Sequence, residues 1–262
     1  SVAAVCPKTV VVLHGAAPNV LPWADHPNVT AILAAHFPGQ EIGNAIVDIL
    51  WGDVNPSGKL PYTIAKTEDD YTKNLVNDTA LRHTTDPNAW NANFKEGSFI
   101  DYKEFDAKNA SVRYEFGFGL SYTTFELSPL VVRVPNTNLS RTPSVEAEVP
   151  PGGHEALWEA LVTACVTVKN TGNVAGSAVP QLYLAYPDEA AAPEKSLRGF
   201  EKLSLEPGES REVAFVLKRR DLSYWSTAAQ TWTLPEGSFH AMSGFSSRDL
   251  PKSEKFELSL SP

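Results

Sequence analysis

Apolar and polar positions follow two different periods along this chain. Thr9–Gly15 (TVVVLHG) is a short β-branched run, of the kind that parallel sheets bury on both faces. Val29–Ala35 (VTAILAA) is a second such run, and Pro38-Gly39 then breaks the chain. From Glu41 the apolar residues fall at Ile42, Ala45, Ile46, Ile49 and Leu50, the i, i+3, i+4, i+7, i+8 stripe of an amphipathic helix. Gly52 stands where a left-handed helix cap belongs. The turn NPSG follows, and KLPYTI reads as a third strand. The order is β-α-β-α-β, and residues 1–65 read as part of an α/β domain. Three strands with little chain before the first make a poor parallel sheet, so the sheet is expected to continue in preceding polypeptide.

Residues 66–120 are polar, rich in Asn, Asp and Thr, and too long for an ordinary loop. They read as a segment wrapped over a surface, anchored by Trp90, Phe94, Phe99, Tyr102 and Phe105. Across residues 121–262 the period falls to two. TTFELSPLVVRV, EALVTACVTVKN, AVPQLYLAYP, SLRGFEKLSL, REVAFVLKR, TWTL and GSFHAMSGF read as short strands, divided by turns such as NTGN, EPGE and LPEG. Val213, Phe215 and Leu217 alternate with Glu212, Ala214 and Val216. Seven strands at this spacing predict an immunoglobulin-like or fibronectin-like sandwich, with Pro135–Glu155 as a flexible insertion. The fold class is therefore α/β plus all-β.

Composition narrows the partners. The formal charge of -9 would repel a phosphate backbone, so nucleic acid is not an expected partner. No apolar run approaches the ~20 residues that span a bilayer, and no membrane partner is expected. The opening SVAAVCPKTVVVLHG lacks a basic stretch ahead of its apolar part, which makes it a poor signal peptide. Either the protein is cytosolic or a leader has been removed. Four N-x-S/T sequons, at Asn28, Asn77, Asn109 and Asn138, favour secretion and are the candidate glycosylation sites. Cys6 and Cys165 lie in or beside apolar runs and read as buried free thiols.

Candidate chemistry is sparse. Glu68, Asp69 and Asp70 read as a solvated charge run. Asp101 and Asp106, among the aromatics of FIDYKEFD, read as loop anchors rather than as a catalytic pair; Glu104 and Glu115 complete the carboxylate set. No two of His14, His26, His36, His83, His154 and His240 stand two or four apart, and no Cys/His cluster exists, so no metal or cofactor is expected. His14 and His36 end predicted parallel strands, where open α/β sheets place ligands; the plainer reading is a hydrogen-bonded loop histidine. FGFGLSY contains G-x-G but lacks the third glycine of a phosphate loop. Trp225 and Trp232 could stack on sugar faces, although packing at a sandwich edge explains them as well.

Taken in order, GQEIGNAIVDILWGDVNPSGKLP, FIDYKEFD, YEFGFGLSYTTF, VTVKNTGNVAGSAVPQLYL and LRGFEKLSLEPGES resemble the carboxyl-terminal portion of glycoside hydrolase family 3, fungal β-glucosidase type. The resemblance covers nearly the whole chain except Pro135–Glu159. It implies a three-part retaining hydrolase: a (β/α)8 barrel with an aspartate nucleophile, an α/β sandwich with a glutamate acid/base, and a fibronectin type III-like domain. No position here matches either catalytic motif, so neither residue is placed in this chain. The implied partner is an N-terminal chain bearing the barrel, the implied substrate an oligosaccharide, and a homodimer of the assembled enzyme is a further expectation. Ser1 then reads as a terminus left by cleavage or by a nick. Ala34-Ala35-His36 depart from the glycine-containing turn of the family.

Two other readings stand beside this one. A stand-alone carbohydrate-binding or structural module would bind glycan without a partner. An independent enzyme using His14, His36 or Asp25 would turn substrate over by itself.

Overall fold

The computed structural model describes residues 2–71, 85, 96–134, 136–143, 151 and 153–261. The first elements are β1 (Thr9–His14), β2 (Val29–His36), α1 (Ile42–Trp51) and α2 (Tyr102–Ala107). Next come β3 (Phe125–Leu127), β4 (Val131–Arg133), β5 (Leu139–Ser140), β6 (Ala160–Asn170), β7 (Gly176–Ala178) and β8 (Gln181–Ala185). They are followed by β9 (Ser196–Phe200), β10 (Leu203–Leu205), β11 (Ser210–Lys218), α3 (Arg219–Leu222) and β12 (Tyr224–Ser226). The chain finishes with β13 (Thr231–Thr233), β14 (Ser238–Gly244), β15 (Lys252–Glu257) and β16 (Leu260–Ser261). Two compact units interleave in sequence: residues 1–38 with 62–114, and residues 39–61 with 115–262.

In the first unit β1 and β2 pair in parallel, running from Thr9↔Val29 to His14↔His36. Not one residue of either strand is buried, although both runs have the composition of strands covered on both faces. The expected third strand, KLPYTI, does not form; Ile64 makes only an isolated antiparallel bridge to Tyr114. Side chains take the place of a ladder there. The Thr63 N–H and hydroxyl donate to Asp101, the Ala65 N–H donates to the Tyr71 hydroxyl, and that hydroxyl donates to the Thr63 carbonyl. Thr63, Ile64 and Ala65 are all buried, and these bonds serve Thr63 and Ala65 while the Ile64 backbone pairs with that of Arg113 and Tyr114. Of the expected aromatic anchors, Tyr102 and Phe105 of α2 are buried, and Phe105 meets Tyr71 edge-on at 5.6 Å. Phe99 is exposed, because it precedes the helix and not its buried face. Trp90 and Phe94 lie outside the described residues.

The second unit holds α1 together with the β-sandwich. Gly52 caps α1 at φ 87°, and its N–H reaches the carbonyls of Asp48 and Ile49. The helix belongs to the β-rich unit. The reason is a local set of hydrogen bonds. The Tyr122 hydroxyl donates to the Ile49 carbonyl, and Asn55 accepts from Ser121 and Tyr122 and donates to the Ala175 carbonyl.

One sheet of the sandwich runs β11-β6-β3, with β4 also on β6; the other runs β15-β14-β8-β9. The expected strand TTFELSPLVVRV is two strands, parted at Ser128-Pro129, since proline has no N–H for the ladder. SLRGFEKLSL likewise divides into β9 and β10. Val213, Phe215 and Leu217 of β11 are buried and their neighbours exposed, as alternation predicts. They join Val166, Val168, Leu182, Leu184 and Phe239 in one core. The strand β15 was not expected, because KSEKFE buries only Phe256; it is an edge strand, and Phe256 stacks on Phe239 at 5.2 Å.

Candidate functional site

His14 and His36 do end their parallel strands, and they face each other after a one-residue register shift that follows Leu13↔Ala34. His36 takes a positive φ of 52°, a region that costs a residue with a Cβ about 1 kcal/mol or more. Its Nδ1 lies 3.4 Å from the Tyr62 hydroxyl, with the two rings edge-on at 5.6 Å. Burial, and then the nearby Tyr71, push the Tyr62 hydroxyl above the usual tyrosine range. Leu13, Gly15, Asn19, Ala34, His36 and Tyr62 enclose a cavity of about 10 Å³. That is room for one water and not for a sugar ring. His14 does not line it. Nothing in the sequence marked Tyr62 or Asn19, because both reach this cavity from segments distant from β2.

The carboxylates are dispersed. Asp25 pairs with Arg113 at 2.7 Å, and Asp70 accepts the Thr67 N–H within a 3-10 turn. Glu104 pairs with Lys108 at 2.5 Å, one turn along α2. Asp101 accepts from Thr63 and from the Tyr102 N–H, the anchoring role read from the sequence. In the other unit, Glu115 accepts from the Ser246 hydroxyl. Among the described residues, no group of three or more His, Cys, Asp or Glu side chains is disposed to hold a metal ion.

The glycines of FGFGLSY prove to be packing devices. Gly117 has φ 80°, and its N–H donates to Leu60 while Leu60 donates to Phe118. A Cβ on Gly119 would stand 2.2 Å from the Gly58 carbonyl oxygen, and Lys59 Nζ donates to the Gly119 carbonyl at 2.5 Å. Burial holds the Lys59 ammonium below the usual lysine range, against the opposing pull of Asp249. Backbone meeting backbone here leaves no cradle for phosphate.

Among the sequons, Asn109 and Asn138 are exposed. Asn28 is half-buried, and its amide donates to the Ala3 carbonyl at 2.8 Å. Asn77 lies outside the described residues. Both cysteines are free thiols; Cys165 is buried as read, but Cys6 is only half-buried, because it follows a short 3-10 turn and is in no strand. Trp225 and Trp232 pair across β12 and β13 with their rings edge-on at 5.8 Å, and Trp225 is about half exposed.

The glycosyl hydrolase family 3 C-terminal domain matches residues 1–122, and a fibronectin type III-like domain matches residues 178–247. A probable beta-glucosidase G from Aspergillus flavus is 56% identical over 257 residues. The chain belongs to glycosyl hydrolase family 3. It corresponds to the carboxyl-terminal portion: the match takes in 97% of this chain and 31% of the Aspergillus flavus protein. A probable beta-glucosidase M from Aspergillus niger is 45% identical, over 98% of this chain and 33% of its own length. The family 3 chain thus spans about a third of the curated relatives it matches. Among solved structures, the beta-D-glucoside glucohydrolase of Trichoderma reesei superposes with a TM-score of 0.88 at 43% identity, over 98% of this chain and 34% of that one. A beta-glucosidase from Chaetomella raphigera gives 0.87 at 42% identity, again over 98% and 34%. The family 3 motifs fall on α1 and its Gly52 cap, on the Gly117–Gly119 turn, and on β6 to β11.

Proposed function

We propose that this chain works as the carboxyl-terminal part of a secreted, retaining β-glucosidase-like hydrolase that acts on β-linked glucosides or plant-wall oligosaccharides. Its aspartate nucleophile and glutamate acid/base are supplied by preceding sequence that carries a (β/α)8 barrel, on the same or a separate chain. The similarity to the Trichoderma reesei beta-D-glucoside glucohydrolase, over 98% of this chain but 34% of that one, carries this reading.

Unsatisfied apolar surface supports it. The strands β1 and β2 bury none of their residues, and a two-stranded parallel sheet is not stable by itself. Within the other unit, α1 has no buried residue and turns Val47, Leu50 and Trp51 to solvent, Trp51 at 74% exposure. Such surface is expected where a larger assembly covers it. Secretion rests on the four sequons.

The test is mass and turnover on native material. A species heavier than this chain, which releases the chain on denaturation or contains it in one longer polypeptide, should hydrolyse p-nitrophenyl β-glucoside. Proton NMR should show the β-anomer of glucose released first, the signature of retention. A native species equal to this chain plus glycans, inactive on β-glucosides, would overturn the reading.

A further inference from the structure

The β-sandwich carries a cleft of about 290 Å³, at the lower end of ligand-site volumes, assembled from four separate segments. Trp158 ends a 3-10 turn, Arg198 stands on β9, Lys218 ends β11, Arg220 and Asp221 lie in α3, and Trp232 lies on β13. The two indoles hold the cations. Arg220 sits 5.4 Å from the Trp158 ring and 5.6 Å from the Trp232 ring, and Lys218 Nζ is 5.1 Å from Trp158. The Arg198 guanidinium lies 5.4 Å from the Tyr186 ring and donates from Nε to the Tyr186 hydroxyl.

The cluster is rigid at its base. Beside Arg220, Arg219 is buried and donates to the Ser140 carbonyl, and Leu222 is fully buried in the sandwich core. The Ser223 hydroxyl donates to the Arg219 carbonyl. Arg220 therefore projects from a fixed backbone between two aromatic walls.

Charge balance points to an anion. Neither Lys218 nor Arg220 has an ion pair among the described residues. Asp221 is the one carboxylate lining the cleft, and one of its oxygens already accepts the Lys218 N–H. The cleft thus gathers three cations against one carboxylate on a chain of net charge -9, a local excess of positive charge that suits a negative ligand. A guanidinium stacked on indole keeps its N–H edge for a ligand, and its planar fork matches a carboxylate. The cleft is too roomy for a bare anion, and Trp158, about half exposed, provides an apolar platform for a ring.

We propose that this cleft is a binding site for a carboxylated sugar, a uronic acid residue within an oligosaccharide, with Arg220 and Lys218 on the carboxylate and Trp158 beneath the ring. The site lies wholly within the β-sandwich unit and does not depend on the hydrolytic reading. Failure of one leaves the other standing.

Calorimetric titration of the intact protein tests it, with four probes at equal ionic strength: a galacturonic acid trisaccharide, cellotriose, inorganic phosphate and a glutamate-rich decapeptide. The acidic trisaccharide should bind saturably and the others at least about tenfold more weakly. Arg220→Gln should weaken it about tenfold or more, and Arg220→Lys, which keeps the charge but not the fork, should not restore it fully. Should Arg220→Gln lower thermal stability, Lys218→Gln, at an exposed strand end, is the second variant and should also weaken binding. Equal binding of cellotriose, equal or tighter binding of phosphate or peptide, no effect of either variant, or no binding at all would each overturn the proposal.

Discussion

The Asp101 carboxylate accepts from both the backbone N–H and the hydroxyl of Thr63, each at 2.8 Å, across 38 residues of sequence. Thr63 is 1% exposed, so neither donor has water as an alternative partner. Asp101 also accepts the Tyr102 N–H at 2.6 Å and caps α2 from a strained φ of 53°. One carboxylate thus ties the start of a helix to a buried segment whose strand pairing is a single bridge, Ile64 to Tyr114. Asp101→Ala should lower stability by about 2–4 kcal/mol, because buried donors are left unpaired. Lys108→Ala, which removes an exposed i,i+4 pair on the same helix, should cost no more than about 0.5 kcal/mol. Urea unfolding of both variants is the check; equal losses would show that Asp101 is no anchor.

Gly119 and Gly58 are close in space but unequal in tolerance. A Cβ on Gly119 would stand 2.2 Å from the Gly58 carbonyl oxygen, whereas a Cβ on Gly58 meets nothing within 4 Å. Gly119→Ala should therefore cost about 1–3 kcal/mol through forced separation of the two backbones. Gly58→Ala should change stability by less than about 0.5 kcal/mol. Melting temperatures of the two variants, measured side by side, decide it.

Acid should weaken the network around Glu189. The Glu236 N–H, then the side chains of Arg141 and Tyr224, hold the Glu189 carboxyl below the usual carboxylate range. A depressed pKa contributes stability above the unfolded-state value of about 4.3, and that contribution is lost as pH falls through the lower folded value. Arg141, raised by the Glu189 hydrogen bond, stays charged throughout and adds no slope. The difference in melting temperature between wild type and Glu189→Gln should be constant from pH 7 to about 5 and shrink below about 4.3. A constant difference down to pH 2.5 would remove Glu189 as its source.

The outward face of α1 separates folding from assembly. Trp51→Ser removes a residue that is 74% exposed within this chain, so the chain's own unfolding midpoint should stay within about 0.5 kcal/mol. In the proposed enzyme the same change should weaken association with the preceding domains, seen as lost β-glucosidase activity or as dissociation on size exclusion. Unchanged assembly would mean that another surface receives those domains.

The sequence by itself determined what depends on neighbours a few residues apart. The stripe Ile42, Ala45, Ile46, Ile49, Leu50 and the Gly52 cap specified α1 to within a residue. Alternation specified which face of β11 enters the core. Pairing over long separations was decided only by the tertiary structure. KLPYTI has the pattern of a strand, yet the Thr63 N–H and carbonyl bond the Asp101 and Tyr71 side chains, which leaves Ile64 a single bridge to Tyr114. KSEKFE has a weak pattern, yet the open edge of β14 supplies its partner. The period of a helix or strand is written in local spacing, while the partner of each backbone group, and the meeting of Trp158 with Arg220, follow from where distant segments pack.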